Sequence, residues 1–278
     1  MNRANSAPRM TSEEAVLQMR SKPELAALVE ACYFDDPIFC AAKRFAISNE
    51  WNAIKKILSP INGSVVLEVG AGRGMASFAF EKAGAQVTAL EPDSSTIVGA
   101  GALRTLKAEA QLEMTIVEEW GESLPFADDS FDIVFARQVL HHSANLTKFC
   151  AEMFRVLKKG GKFLACREHV VKNEQDLKVF LDNHPVHKQT LTEHAYTLDT
   201  YLAAMVQAGF SVRPIGPWES DINLFPSSAQ LVKQRIASKI RLPVASLIPD
   251  WLSFKVGRIF SEKAYFPGCL YTFIGKKK

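Results

Sequence analysis

The sequence predicts an α/β domain built on a mostly parallel sheet with helices on both faces. Three observations predict it. From Val65 onward the short apolar runs VVLEV, QVTAL, MTIVE, FDIVFA and KFLACR alternate with segments of helical periodicity. Those intervening segments are about 10 to 15 residues long, the length a crossover needs to bring the chain back to the same end of a sheet. The first run also gives way at once to a glycine-rich turn, Gly70-Ala71-Gly72-Arg73-Gly74, at a strand-to-helix junction.

Ahead of the sheet, residues 11 to 58 read as helices. Thr11 or Ser12 can cap the first, and between Pro37 and Leu58 the apolar residues Phe45, Ile47, Trp51, Ile54 and Ile57 fall at helical spacing. Further helices are expected near Met75 to Ala83, Ser94 to Ala110 and Leu146 to Leu157. Lys158-Lys159-Gly160-Gly161 reads as a basic helix end followed by C-cap glycines. Beyond KFLACR, Glu168 to His194 is a mixed segment rich in histidine and charge. A helix near Leu198 to Ala208, the strand-like SVRPI, a mostly helical stretch over 222–266 and a last strand, CLYTFIG, complete the chain. The expectation is a seven-stranded sheet domain over 61–278, preceded by a helical extension or lid over 1–60. If CLYTFIG joins the sheet, 222–266 is an insertion before the last strand.

The chain has 278 residues, 47% of them hydrophobic, enough to bury one large core. A formal net charge of +3 lacks the strong basicity of a nucleic-acid coat. The five cysteines are widely spaced with no Cys-x-x-Cys pair, so neither a disulfide framework nor a zinc knuckle is expected, and a reducing cytoplasmic setting fits. MNRANSAPRM reads as a frayed polar tail without a signal's apolar core. No run approaches the roughly 20 apolar residues of a membrane span.

A glycine-rich strand-to-helix turn lets backbone approach a ligand and aims helix-start N–H groups at it. The dinucleotide spacing Gly-x-Gly-x-x-Gly/Ala fails here, because the third position is Met75 or Ser77. An acid, Glu68, stands two residues before the first glycine. It would repel a pyrophosphate and attract an amino group. At the end of the next strand, Ala89-Leu90-Glu91-Pro92-Asp93 places a carboxylate where ribose hydroxyls can donate to it. Ribose plus amino acid describes S-adenosylmethionine.

With these residues in view, the sequence resembles the class I S-adenosylmethionine-dependent methyltransferases, in particular the small-molecule group with the methyltransferase-11 type of domain. VLEVGAGRG, the acid of ALEPD, the block Glu122-Ser-Leu-Pro-Phe-Ala-Asp-Asp-Ser-Phe-Asp132 and Phe154-Arg-Val-Leu-Lys-Lys-Gly-Gly161 carry the resemblance, over about 62–167. It implies a Rossmann-like fold, S-adenosyl-L-methionine as cofactor, and Glu68, Gly70, Gly72 and Gly74 at its methionine part with Glu91 at the ribose. Residues before Leu-Pro-Phe surround the adenine in that family, which assigns Trp120, Gly121 and Glu122 here. Many relatives have Gly-Asp-Ala at this point, whereas this chain has Glu119-Trp120-Gly121. Trp120 either packs on the adenine ring or belongs to the core.

Methyl transfer from a sulfonium is an in-line displacement that rests on positioning, and a general base is needed chiefly for a hydroxyl acceptor. The resemblance puts the acceptor above the carboxyl ends of the fourth and fifth strands, as the crevice rule for open α/β sheets also expects. That region supplies Arg137, assigned to the cofactor side, then His141, His142, Arg167, Glu168 and His169. His142 is the candidate base, because in similar enzymes the second histidine of Leu-His-His faces the acceptor; packing beside the cofactor is the alternative. His184, His187 and Tyr196 fall where relatives place substrate-selecting elements. The spacing of His184, His187 and His194 matches no zinc signature, so no metal is expected.

Within 222–266 seven Lys/Arg face two acids, with apolar stripes at Val232, Ile236 and Ile240 and again from Ile248. This basic amphipathic stretch reads as a helical cap on its own domain, with membrane-surface or subunit contact as alternatives. A pocket of His, Arg and Glu suits a polar hydroxylated small molecule, and similar sequences point to sugar or surface-glycan precursors. Motifs for gripping a flipped base are missing, so no nucleic acid is expected as partner. A small-molecule N-methyltransferase and a non-catalytic methyltransferase-like binding protein stay open, as does the oligomeric state.

Overall fold

The computed structural model describes residues 10–184, 190, 193–224, 229–240, 248–260 and 265–278; His187 and residues 1–9 of the polar tail lie outside the described residues. Four helices come first: α1 (Ser12–Arg20), α2 (Ala26–Ala31), α3 (Ile38–Ala46) and α4 (Asn49–Leu58). Thr11 and Glu14 form a reciprocal capping box on α1, and Ser48 caps α4. The alternation then runs β1 (Val65–Val69), α5 (Met75–Lys82), β2 (Gln86–Leu90), α6 (Ala100–Ala110), β3 (Thr115–Val117), β4 (Phe131–Arg137), α7 (Leu146–Val156) and β5 (Leu157–Val171). After it come α8 (Glu174–Asn183), β6 (Tyr196–Thr197), α9 (Leu198–Gln207) and β7 (Ser211–Ile215). The described chain ends with α10 (Ala229–Ile240), α11 (Asp250–Phe260) and β8 (Cys269–Lys276).

The strand order is β3-β2-β1-β4-β5-β8-β7, with the two-residue β6 pairing β5 to the side. Every pairing is parallel except those of β8, which runs antiparallel to both β5 and β7. The continuous path has the seven strands that the sequence predicts, and the two-residue β6 adds an eighth beside β5. CLYTFIG does enter the sheet, so α10 and α11 stand between two sheet strands. The order reverses between β1 and β4, which opens a crevice at their carboxyl ends.

β1 is an unbroken apolar run apart from Glu68 because both its faces are covered. Val66 packs with Trp51, Ile54, Phe80 and Phe135 under α3 to α6, while Leu67 packs with Val134, Phe149, Met153 and Phe163 under α7 and α9. Edge-on aromatic contacts join Trp51 to Phe80 at 4.9 Å and Phe80 to Phe135 at 5.2 Å, so α4 is seated directly on the first face. Among the described residues no helix is long and apolar enough to cross a membrane.

Three local expectations are corrected. The helix expected from Ser94 begins at Ala100, because Asp93 and Ser95 fold an Asx-type turn first, with Ser95 N donating to Asp93 Oδ1 at 2.8 Å. The lysine and glycine pairs do not cap α7: the helix ends at Val156 and β5 begins at Leu157, bulging until Ile133 meets Lys162. Part of the mixed segment is regular, since β5 extends to Val171 and Asn173 caps α8.

Candidate active site

A cavity of ≈ 700 Å³ occupies the switch-point crevice, lined by the glycine turn, the ends of β4 and β5, and residues of the N-terminal helical segment such as Met19, Cys32 and Tyr33. Gly70, Gly72 and Gly74 all have positive φ, at 66°, 53° and 81°. A Cβ on Gly70 would meet Val139 Cγ2 at 2.5 Å, and one on Gly74 would meet Leu103 Cδ1 at 2.2 Å. Over Gly72 the nearest atom is the Val98 carbonyl oxygen at 3.5 Å. Gly72 brings only backbone to the cavity lining, whereas Gly74 is the left-handed N-cap of α5 and packs on α6.

Glu68 is almost fully buried, faces the cavity and accepts a hydrogen bond from Ser77 Oγ of α5. Burial pushes its carboxyl up to about 8, against the opposing pull of Ser77. Glu91 is buried beside the turn, and its two oxygens accept from Gly72 N at 2.7 Å and Asp93 N at 2.9 Å. Burial raises it as well. It braces the turn, and it is not among the cavity-lining residues.

The back of the site is a buried triad of charges. Glu50 of α4 pairs with Arg137 Nε of β4 at 2.6 Å and with Arg167 Nη1 of β5 at 2.6 Å. Burial works to raise the Glu50 carboxyl, and the charges of Arg137 and Arg167 outweigh it, leaving Glu50 below the usual carboxylate range. Arg73 of the glycine turn donates to the Tyr33 carbonyl at 2.7 Å and pairs with Asp36, so α2 and the segment before α3 are tied to the same turn.

A second wall is built of histidines. Glu168 of β5 accepts from the backbone N–H groups of Val139, Leu140 and His141 at 3.0, 3.2 and 3.2 Å, which fixes the one-turn 3₁₀ segment Leu140–His142. The same carboxylate lies 2.7 Å from His141 Nδ1. The other ring nitrogen, Nε2, lies 3.4 Å from Glu193 Oε2, and His142 Nε2 lies 3.9 Å from that oxygen. Burial opposes a charged His141, yet the charges of Glu168 and Glu193 prevail and hold it up at about 9. His169 behaves oppositely: burial and the neighbouring His141 push it down to about 3, so it is neutral and its Nδ1–H donates to the Gly268 carbonyl at 2.8 Å. His184 meets it edge-on, with ring centroids 5.4 Å apart.

Of the residues predicted from sequence, Glu68, Gly70, Gly72, Arg137, His141, His142, Arg167, His169 and His184 line the one cavity. The others stand elsewhere. Trp120 is 68% exposed and not a core residue; the space beside Gly121 is filled by Phe149, and Glu122 accepts from Ala144 N at 2.8 Å. Glu168 is not a substrate contact, because it is fully buried and engaged by His141 and three backbone amides. Tyr196 donates its hydroxyl to the Ser143 carbonyl at 3.2 Å, away from the cavity lining. Sequence reasoning missed Glu50, Arg73 and Glu193. Glu50 was findable, because it shares an apolar helix stripe with Ile54 and Leu58 at i+4 and i+8.

A glycine turn at the switch point, a mostly parallel sheet in the order above and an antiparallel strand next to its edge define the Rossmann-like fold of the class I, S-adenosylmethionine-dependent methyltransferases. Residues 67–165 match the family model described as "Methyltransferase domain". An uncharacterized methyltransferase of Mycobacterium leprae is 37% identical over 103 residues, 37% of this chain and 36% of that protein. The chain spans only about a third of the length of the curated relatives of this kind. The crystal structure of YcgJ from Bacillus subtilis superposes with a TM-score of 0.56 at 21% identity, covering 82% of this chain and 98% of that one. Phosphoethanolamine N-methyltransferase 2 of Haemonchus contortus, solved with phosphomonomethylethanolamine and S-adenosylhomocysteine, gives 0.55 at 18% identity, covering 96% of this chain and 60% of that one.

Proposed function

We propose that the chain is an S-adenosylmethionine-dependent methyltransferase of a polar small molecule, methylating a hydroxyl of a sugar-like acceptor. One observation carries this reading: the Glu68 to Gly72 turn and the histidine wall line the same cavity. The residues fit the cofactor, since Gly70 and Gly72 present backbone without side chains to the cavity and Glu68 offers a buried carboxyl to an ammonium. When bound, S-adenosylmethionine supplies a methyl group activated on a sulfonium. Glu68 holds the amino group, the backbone at Gly70 and Gly72 accommodates the amino-acid part, and Glu91, outside the cavity lining, holds that backbone in place by accepting from Gly72 N.

Val139 touches Gly70, so the turn bearing His141 and His142 begins beside the methionine end of the site. His142 is the residue of that turn whose side chain is partly exposed, and it is positioned to take the hydroxyl proton of an acceptor. The helices before residue 60 cover the cavity and exclude water from it. We place the protein in the cytoplasm, acting without nucleic acid, with the α10 to α11 region as a cap on its own domain. The test is calorimetric titration of the full chain with S-adenosylhomocysteine, expected to bind at roughly micromolar Kd, with NADH silent. A panel of hydroxylated acceptors, sugars first, then reads methyl transfer; binding of NADH in place of S-adenosylhomocysteine would overturn the reading.

A further inference from the structure

The histidine wall contains an arrangement that goes beyond the methyl-transfer reading and shares His142 with it; an ion held by His142 Nε2 would take over from that imidazole the task of acidifying the acceptor hydroxyl. His141 Nε2, His142 Nε2 and Glu193 Oε2 converge on one point of the cavity wall, and one ligand atom from each of the three residues lies within 4.8 Å of the others. The separations of 3.4 and 3.9 Å from the Glu193 oxygen are close to those between neighbouring ligands on an ion with bonds of about 2.0 to 2.2 Å, which are about 3 to 3.4 Å. Side-chain rotation that draws these atoms together would complete a half-shell of two imidazoles and one carboxylate.

A second observation points the same way. Histidines that ligate metals hand their other ring nitrogen to a carboxylate, which fixes the ring and raises its basicity. His141 does so: Nδ1 sits 2.7 Å from Glu168, whose carboxylate is immobilised by three backbone amides. The Nε2 lone pair is thereby aimed at Glu193 and His142. This spacing was invisible to sequence reasoning about metals, which weighed His184, His187 and His194; the group that the fold assembles is a different one.

We propose that His141, His142 and Glu193 form a binding site for a divalent first-row transition metal ion, with open positions facing the cavity. The ion replaces the proton between His141 and Glu193. Two imidazole nitrogens select against Mg²⁺ and Ca²⁺, which take oxygen ligands, and favour Zn²⁺, Co²⁺ or Fe²⁺. On the methyltransferase reading, the open positions take oxygens of the acceptor, so the acceptor class narrows to molecules with a hydroxyl beside a second oxygen donor. That last step rests on the proposed function; the metal site does not.

The test uses the full chain, stripped with a chelator and titrated with Co²⁺. About one equivalent should bind, with ligand-field absorption in the visible, no thiolate-to-cobalt band in the near ultraviolet, and displacement by Zn²⁺. Glu193→Gln and His142→Ala should each weaken binding by at least about 100-fold, and Glu168→Gln by about 10- to 100-fold. His142 is 43% exposed and Glu193 lines the cavity, so those two variants keep the test valid if Glu168→Gln does not fold. Unchanged Co²⁺ affinity in both variants, a thiolate band, or no binding by the folded wild type overturns the site. Each protein is also titrated with S-adenosylhomocysteine: binding of that ligand without Co²⁺ rejects the metal alone, and binding of Co²⁺ without that ligand rejects the methyltransferase reading and leaves the metal site standing.

Discussion

Glu68 is neutral up to a pH of about 8, because burial outweighs the hydrogen bond from Ser77. The charged groups facing it are Arg137, which favours ionisation, and Glu91, which opposes it. A ligand ammonium adds the strongest opposite charge and favours the carboxylate, so binding should release a proton below that pH. By linkage, affinity for S-adenosylhomocysteine rises with pH up to about 8, by at most about tenfold per unit. Calorimetry at several pH values, in buffers of different ionisation enthalpy, checks this; in Glu68→Gln the slope should flatten, and parallel slopes in the two proteins would remove Glu68 from the ammonium contact. Folding gives the opposite sign. Because the folded carboxyl is protonated where the unfolded one is ionised, Glu68 costs stability increasingly as pH rises from 4.5 toward about 8. At a neighbouring residue the constraint is steric: Gly74→Ala meets Leu103 and a φ of 81°, and should lose about 1 to 3 kcal/mol in urea unfolding.

At the scale of elements, the N-terminal helices are held on the glycine turn by charges that meet at Asp36. Its carboxylate takes Arg20 at 2.6 Å and Arg73 of the turn. Asp36 is half-exposed, so screening limits the contribution to about 1 kcal/mol. Asp36→Ala should therefore speed amide exchange across α1 and α2 and weaken S-adenosylhomocysteine about fivefold, while β1 and β4 keep their protection. Equal exchange in both proteins would mean the helices are seated by apolar packing alone. The elements themselves were legible in unequal degree. QVTAL and SVRPI are strands at their predicted bounds, since period, β-branched content and flanking breakers agree there. The lysine and glycine pairs after α7 misled, because their conformation is set by pairing with distant chain: Gly160 N donates to the Lys277 carbonyl at 2.8 Å. β6 consists of two residues, too few to show a period. The glycine turn was readable because its spacing is local. Glu193 was not, because it reaches His141 from 52 positions away with no pattern of its own.

Over the whole molecule, one carboxylate joins the helical extension to two strands of the sheet. Glu50 is fully buried and carries both Arg137 and Arg167, so its removal leaves two guanidinium groups facing each other behind the cavity. Stranding buried charges costs about 3 to 5 kcal/mol, far more than an intact buried pair contributes over an apolar substitute. Glu50→Ala should lower the unfolding free energy by that amount, read as a lower urea midpoint at an unchanged slope. The pH dependence identifies the cause. The folded carboxyl lies below its ordinary value of 4.5, so the stabilisation is present above that value and is lost as pH falls through the folded one. The wild type should lose this increment only in acid, and the difference between wild type and Glu50→Ala should shrink there. A difference that stays constant through the acid range would assign the loss to the cavity left by the side chain. Because Arg137 and Arg167 also line the site, the variant should bind S-adenosylhomocysteine more weakly even where it is fully folded. Undiminished binding would mean that the charge cluster serves the seating of α4 on the sheet and leaves the ligand to the glycine turn.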